Sequence, residues 1–122
     1  MLAKWLSGGV NDICRNIPLE VTESNLNAIY NKVHHSGAIV IAVNITTIKN
    51  NSCWTQDKQK EIIKLNKWIA KSNADYKIDA YSVVEDPNNP DTTRSDYNAD
   101  NLHLQQNGYY AVAMAIYNQV FR

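Results

Sequence analysis

Only two cysteines occur in the 122 residues, Cys14 and Cys53, far apart and in unlike settings. A disulfide framework draws on more cysteines than that, so both are expected as unpaired thiols. Charge of one sign is missing as well, because 12 basic residues balance 12 acidic ones. Without a positive excess or a basic cluster interleaved with aromatics, no nucleic-acid partner is expected. No apolar run approaches a membrane span. The start, Met1-Leu2-Ala3-Lys4-Trp5, lacks the apolar core of a signal peptide. The chain as written therefore reads as soluble and without an export signal, which favours the cytoplasm while the compartment stays open. Paired metal ligands at short spacing are absent too. His34 and His35 are neighbours on an expected helix and point in different directions, so neither a metal nor another cofactor is expected. Asn44-Ile45-Thr46 and Asn50-Asn51-Ser52 match the glycosylation sequon, as chance allows in an Asn-rich chain.

What is present reads as a single domain over residues 1–122, with no repeat and no low-complexity linker. Residues 1–6 form a short apolar run that stops at Ser7-Gly8-Gly9. That is the pattern of a strand closing in a tight turn, where glycine takes backbone angles other residues avoid. Leu26, Ile29, Tyr30 and Val33 then recur at i, i+3, i+4 and i+7, which turns one apolar stripe of a helix toward a core. Thr22 or Ser24 is placed to cap its start and Gly37 to end it. Residues 38–43 are continuously apolar and rich in β-branched side chains, as suits a strand covered on both faces.

A loop over 44–55 leads to a helix over 57–72 that buries Ile62, Leu65 and Ile69, with Trp68 beside them. Residues 76–81 read as a third strand. Residues 87–101 are polar and turn-rich, with Asn88-Asn89-Pro90-Asp91 blocking regular structure. The last helix is expected over 107–121, with Tyr109, Val112, Ala113, Ile116, Tyr117 and Val120 as its buried stripe. The order β-α-β-α-β-loop-α implies a parallel sheet with functional loops at the C-terminal ends of its strands.

Two stretches fall at such ends. One is Gly8-Gly9-Val10-Asn11-Asp12, and the other is Asp100-Asn101-Leu102-His103, followed by Asn107-Gly108-Tyr109. An imidazole near neutral pKa can take and return a proton, and a carboxylate beside it can fix its tautomer. Taken singly, each stretch has a plainer reading. Asp100 would be a turn or cap residue beside a surface His103, and Asn11-Asp12 would be turn formers. Together, at the ends of strands in this order, they favour a site.

In these residues the sequence resembles the SGNH (GDSL-type) hydrolase superfamily of esterases and lipases. Gly9-Val10-Asn11-Asp12 is similar to that family's Gly-x-Asn-Asp block, and Asp100-Asn101-Leu102-His103 to its Asp-x-x-His block. The resemblance implies an α/β fold of the flavodoxin-like kind, three layers around a parallel sheet, truncated here to about three strands. It implies His103 as general base and then acid, with Asp100 as its orienting carboxylate. It implies the Asn11 amide as an oxyanion donor, Gly9 as support for the turn, and Asp12 as bonding nearby backbone amides. Losing one oxyanion donor typically costs on the order of 100- to 1000-fold in rate. The implied substrate is a small acyl ester, hydrolysed without a cofactor.

The family's Gly-Asp-Ser block, which supplies the nucleophile, and its glycine donor block have no counterpart in the sequence. Ser7 precedes the glycine turn, on the donor loop rather than the nucleophile's loop. The chain thus looks like the C-terminal half of such a hydrolase, nearly inactive alone and dependent on a missing N-terminal half for its serine. In the family's sheet the strand before the glycine turn is internal, so residues 1–6 would present an unpaired edge. A homo-oligomer, or a complex with the missing half, is therefore expected. The alternative is a non-catalytic remnant or binding module that keeps the fold. Loops 44–57 and 85–98 would carry substrate determinants, and their residues show no readable pocket chemistry.

Overall fold

The β-branched run in the middle of the sequence forms the central strand. β2 (Ile39–Val43) lies between β1 (Ala3–Leu6) and β3 (Tyr76–Ile78), and both neighbours run parallel to it. Ala3 pairs with Ile39 and Leu6 with Ala42, while Ile41 pairs with Tyr76 and Val43 with Ile78. These positions come from a computed structural model, which describes residues 2–122. Met1, where the first strand was expected to begin, lies outside the described residues.

Alternate side chains of a strand point to opposite faces, and β2 uses both. Val40 and Ala42 pack with Ile13 of α1 (Val10–Cys14), Leu26 and Tyr30 of α2 (Leu19–His35), and Ile62, Leu65 and Ile69 of α3 (Gln56–Ala70). On the other face Ile41 and Val43 pack with Ile78 and with Ile116 of α5 (Gln106–Ile116). The chain is therefore a three-layer α/β/α sandwich on a three-stranded parallel sheet. Val40 and Ile41 are both 0% exposed. Burying a side chain of this kind contributes about 1.5–3 kcal/mol relative to leaving it in water. No helix among the described residues is long and apolar enough to cross a membrane.

Several expectations are corrected. Cys14 and Cys53 are bonded to each other, because the end of α1 packs against the loop before α3 and brings their Cα atoms to 5.6 Å. That separation lies within the range a bridge requires. The third strand stops at Ile78, since Asp79 caps a short helix α4 (Ala80–Val84), accepting from the Ser82 amide at 3.2 Å and the Ser82 hydroxyl at 2.7 Å. α2 begins at Leu19, capped by Pro18, whose carbonyl accepts from the Val21 and Thr22 amides. Thr22 is thus inside the first turn, and buried. A helical turn, α1, also follows the glycines directly, where only a turn was expected.

The last helix differs in what it buries. Ile116 is 1% exposed, whereas Tyr109 and Tyr117 are 52% and 51% exposed. Tyr110, Met114, Tyr117 and Phe121 form a second apolar stripe that points away from the sheet, running through α5 into a π-helical turn (Tyr117–Phe121). The helix is apolar nearly all round, and the sheet covers only one side of it. Ile29 of α2 is likewise exposed, leaving Leu26 and Tyr30 to fill the core.

Candidate functional site

β1 delivers the chain into the glycine turn, where the space around residue 9 is tight. Gly9 has φ of +122°, and a Cβ on it would stand 2.6 Å from Leu65 Cδ2 and 3.1 Å from Ile45 Cδ1. A side chain here would strain the backbone and push the Leu65 and Ile45 side chains aside, so glycine suits the turn that packs on α3 and starts α1. Asn11 falls in the first turn of α1, where its side chain is exposed and bonds to no protein group among the described residues. Asp12 does not tidy backbone amides as expected. Its Oδ2 accepts from the Thr22 hydroxyl at 2.9 Å, which links α1 to α2.

The Asp100-Asn101-Leu102-His103 stretch forms a closed loop ahead of α5. Asp100 Oδ1 accepts from the backbone amides of Leu102 and His103 at 3.0 and 2.6 Å. Asp100 Oδ2 lies 2.9 Å from His103 Nδ1. A carboxylate can only accept, so Nδ1 carries the hydrogen, and in the neutral ring Nε2 is then the nitrogen with the lone pair, the tautomer a proton acceptor needs. The bond from the His103 ring, helped by the His103 amide, holds the Asp100 carboxyl down at about 2. Both side chains are largely exposed, His103 by 64% and Asp100 by 57%.

A cavity of about 180 Å³ lies at the C-terminal ends of β1 and β2, between the glycine turn and the histidine loop. Ser7, Gly8 and Val10 line one side, and Leu102 and Leu104 line another. The fold thus gathers the neighbours of both motifs around one cavity, although Asn11, Asp100 and His103 do not themselves line it. Asn44, at the end of β2, does line it. Its Nδ2 donates to Asp79 Oδ1 at 2.9 Å and its Oδ1 accepts from the Tyr81 amide at 2.9 Å, so one amide ties β2 to α4. The usable signal was a polar residue directly after a fully apolar strand, which the sequon match obscured. A buried chain of side chains was also missed. Trp54 donates to Gln59 Oε1, Gln59 Nε2 donates to the Tyr81 hydroxyl, that hydroxyl donates to Asp91, and the Thr47 hydroxyl donates to the Asp91 carbonyl. It anchors the loop after β2 to α3 and α4.

The histidine pair does different work elsewhere. His34 Nε2 lies 2.8 Å from Asp75 Oδ2, and His35 Nδ1 lies 2.8 Å from the Asn31 carbonyl. No group of three or more His, Cys, Asp or Glu residues placed to hold a metal ion occurs among the described residues.

With this arrangement in view, comparison with known proteins is decisive on one point. The model of the GDSL-like lipase/acylhydrolase family matches residues 5–111. The chain belongs to that family. No curated protein matches it. Among solved structures it is similar to a Streptococcus pneumonia protein named for platelet activating factor, at 19% identity and a TM-score of 0.78. The match covers 97% of this chain and 59% of that one. It is also similar to the OSK domain of Drosophila Oskar, at 18% identity and a TM-score of 0.77, covering 98% of this chain and 62% of that one. At such identities the likeness is one of fold. This GDSL-family chain thus spans about three fifths of the length of these structures.

Proposed function

We propose that the chain supplies the proton-handling part of an SGNH esterase site acting on small acyl esters. His103 is the general base and then acid, Asp100 fixes its tautomer, and the Asn11 amide is one oxyanion donor. The observation that carries this reading is the 2.9 Å contact from His103 Nδ1 to Asp100 Oδ2, which leaves Nε2 free on a loop beside the strand-end cavity. The nucleophilic serine comes from polypeptide outside these residues, docked along β1.

Two features support that placement. The β3 edge is covered, since Gln119 Nε2 donates to the Lys77 carbonyl at 2.9 Å, whereas β1 ends the sheet with Trp5 57% exposed. The second stripe of α5 is uncovered as well, and a helix apolar all round is ordinarily buried. The test has two steps. The DNA upstream of Met1 is translated for a strand ending in Gly-Asp-Ser, and the extended chain is assayed for nitrophenol release from a short-chain nitrophenyl ester. His103→Ala is expected to lower the rate roughly 100- to 10,000-fold, the usual worth of general acid–base catalysis. Equal rates would remove His103 from the mechanism.

The second reading is a non-catalytic remnant or binding module. It is favoured by the exposure of the Asp100–His103 pair to solvent. Absence of a Gly-Asp-Ser strand in every upstream frame would make it the better one.

A further inference from the structure

The Asp100–His103 pair poses a physical problem. Exposed ion pairs gain little and are loosely held, and both of these side chains are more than half exposed. In a buried triad the surrounding packing would fix the carboxylate, and here another device must do so.

The residues on either side of Asp100 supply it. Asn98 spends both ends of its amide on Asn101. Its Oδ1 accepts from the Asn101 backbone amide at 2.7 Å, and its Nδ2 donates to Asn101 Oδ1 at 2.7 Å. Asn101 has φ of +65°, a left-handed conformation that asparagine tolerates better than most residues. That reversal aims the Leu102 and His103 amides back at Asp100 Oδ1, so Oδ2 is the oxygen left for the His103 ring. The loop ends are closed separately. The Ala99 amide donates to the His103 carbonyl at 3.0 Å, and Gln105 Nε2 donates to the Asn98 carbonyl at 2.8 Å.

We infer that Asn98 and Asn101 form an amide clamp that positions the Asp100 carboxylate on the His103 ring. They are positioning residues, and their importance for catalysis rests on the reading of His103 as a base. The clamp replaces the packing that an exposed loop lacks, and it leaves Nε2 open to whatever approaches.

The test reads the pair directly by NMR, without any ester. In the wild-type chain the His103 ring nitrogens are expected to report the Nδ1–H tautomer, and the Asp100 carboxyl to titrate near about 2. Asn98→Ala deletes both bonds of the clamp, whereas Asn101→Gly keeps the left-handed backbone accessible and the backbone bond to Asn98 Oδ1 and deletes only the side-chain bond. Each is expected to give the mixed tautomers of a free imidazole and to move the Asp100 midpoint toward its ordinary 3.8. Ala113→Gly in α5, which lowers Tm without touching the loop, is expected to leave both signals as they were. Wild-type signals in Asn98→Ala overturn the clamp, whatever happens to Tm, and if that variant does not fold, wild-type signals in Asn101→Gly overturn the part assigned to the Asn101 side chain. A chain with no esterase activity leaves the same signals to be read, so failure of the functional reading is distinguishable from failure of the clamp.

Discussion

Opening the Cys14–Cys53 bridge is the sharpest perturbation available. It joins residues 39 apart, closing a loop that takes in α2, β2 and half of the core. Loop-closure entropy assigns a bridge of that span about 4 kcal/mol at 25 °C. With an unfolding entropy of about 2.1 cal/mol/K per residue, that is a fall of about 15 °C in Tm for 122 residues. The assay is thermal unfolding of the wild type with and without a phosphine reductant, beside the Cys14→Ser/Cys53→Ser double variant. Reduced wild type and double variant should fall together. Because such bridges persist in oxidising compartments, chain made in a reducing cytosol should show the lower Tm until it is oxidised. Alkylation of both thiols in unreduced, air-oxidised protein, or a Tm shift under about 3 °C on reduction, would refute the reasoning. The bridge also bears on the site, because Cys14 sits one turn after Asn11 on α1.

Three further outcomes are expected. Gly9→Ala should lose about 2–3 kcal/mol in urea unfolding, through its clash with Leu65 and its positive φ, whereas Gly8→Ala, with nothing within 4 Å, should lose little. The Asp100 carboxyl is held at about 2 against an ordinary 3.8, so the native state favours its charged form. Its contribution is complete above 3.8 and is lost as pH falls through about 2, so Asp100→Asn should flatten the acid limb of Tm against pH over that window. Light scattering of the isolated chain at micromolar concentration should show association that Met114→Lys with Tyr117→Lys weakens. A monodisperse wild-type monomer would count strongly against the covered-surface reading.

The sheet was legible because its signals are local. A continuous β-branched run reads as a central strand wherever it occurs, and the stripes of α2 and α3 survive almost unchanged in Leu26, Tyr30, Ile62, Leu65 and Ile69. The errors came from features that depend on what lies across space. The bridge between Cys14 and Cys53 is invisible until α1 packs beside the loop before α3. The stripe of α5 was assigned to the core because aromatic periodicity says which residues share a face and not whether anything covers it. Asp79 ended the third strand early through a capping bond that spacing alone does not distinguish from an alternating strand residue. At the site, the sequence marked Asp100 and His103 as a spacing, and the loop brings His103 Nδ1 to 2.9 Å from Asp100 Oδ2. It gave no sign of Asn98, whose part depends on Asn101 adopting a positive φ.

The exposure of the base and the exposure of the α5 stripe bear on one question. A carboxylate–histidine pair more than half in water is screened by solvent, because charge interactions weaken in high dielectric. Covering it would strengthen the same 2.9 Å bond with no change of geometry. Polypeptide that pairs with β1 and lies over Tyr110, Met114 and Tyr117 would join the sheet at the edge whose strand runs into the glycine turn and the cavity. One docking event would then bury the apolar stripe, extend the sheet and dry the base. In the binding-module reading these three changes have no reason to occur together. Hydrogen exchange separates the two readings on the extended chain. Protection that appears at once in β1, α5 and the loop from Ala99 to His103 fits the enzyme, and protection confined to β1 and α5 fits the remnant.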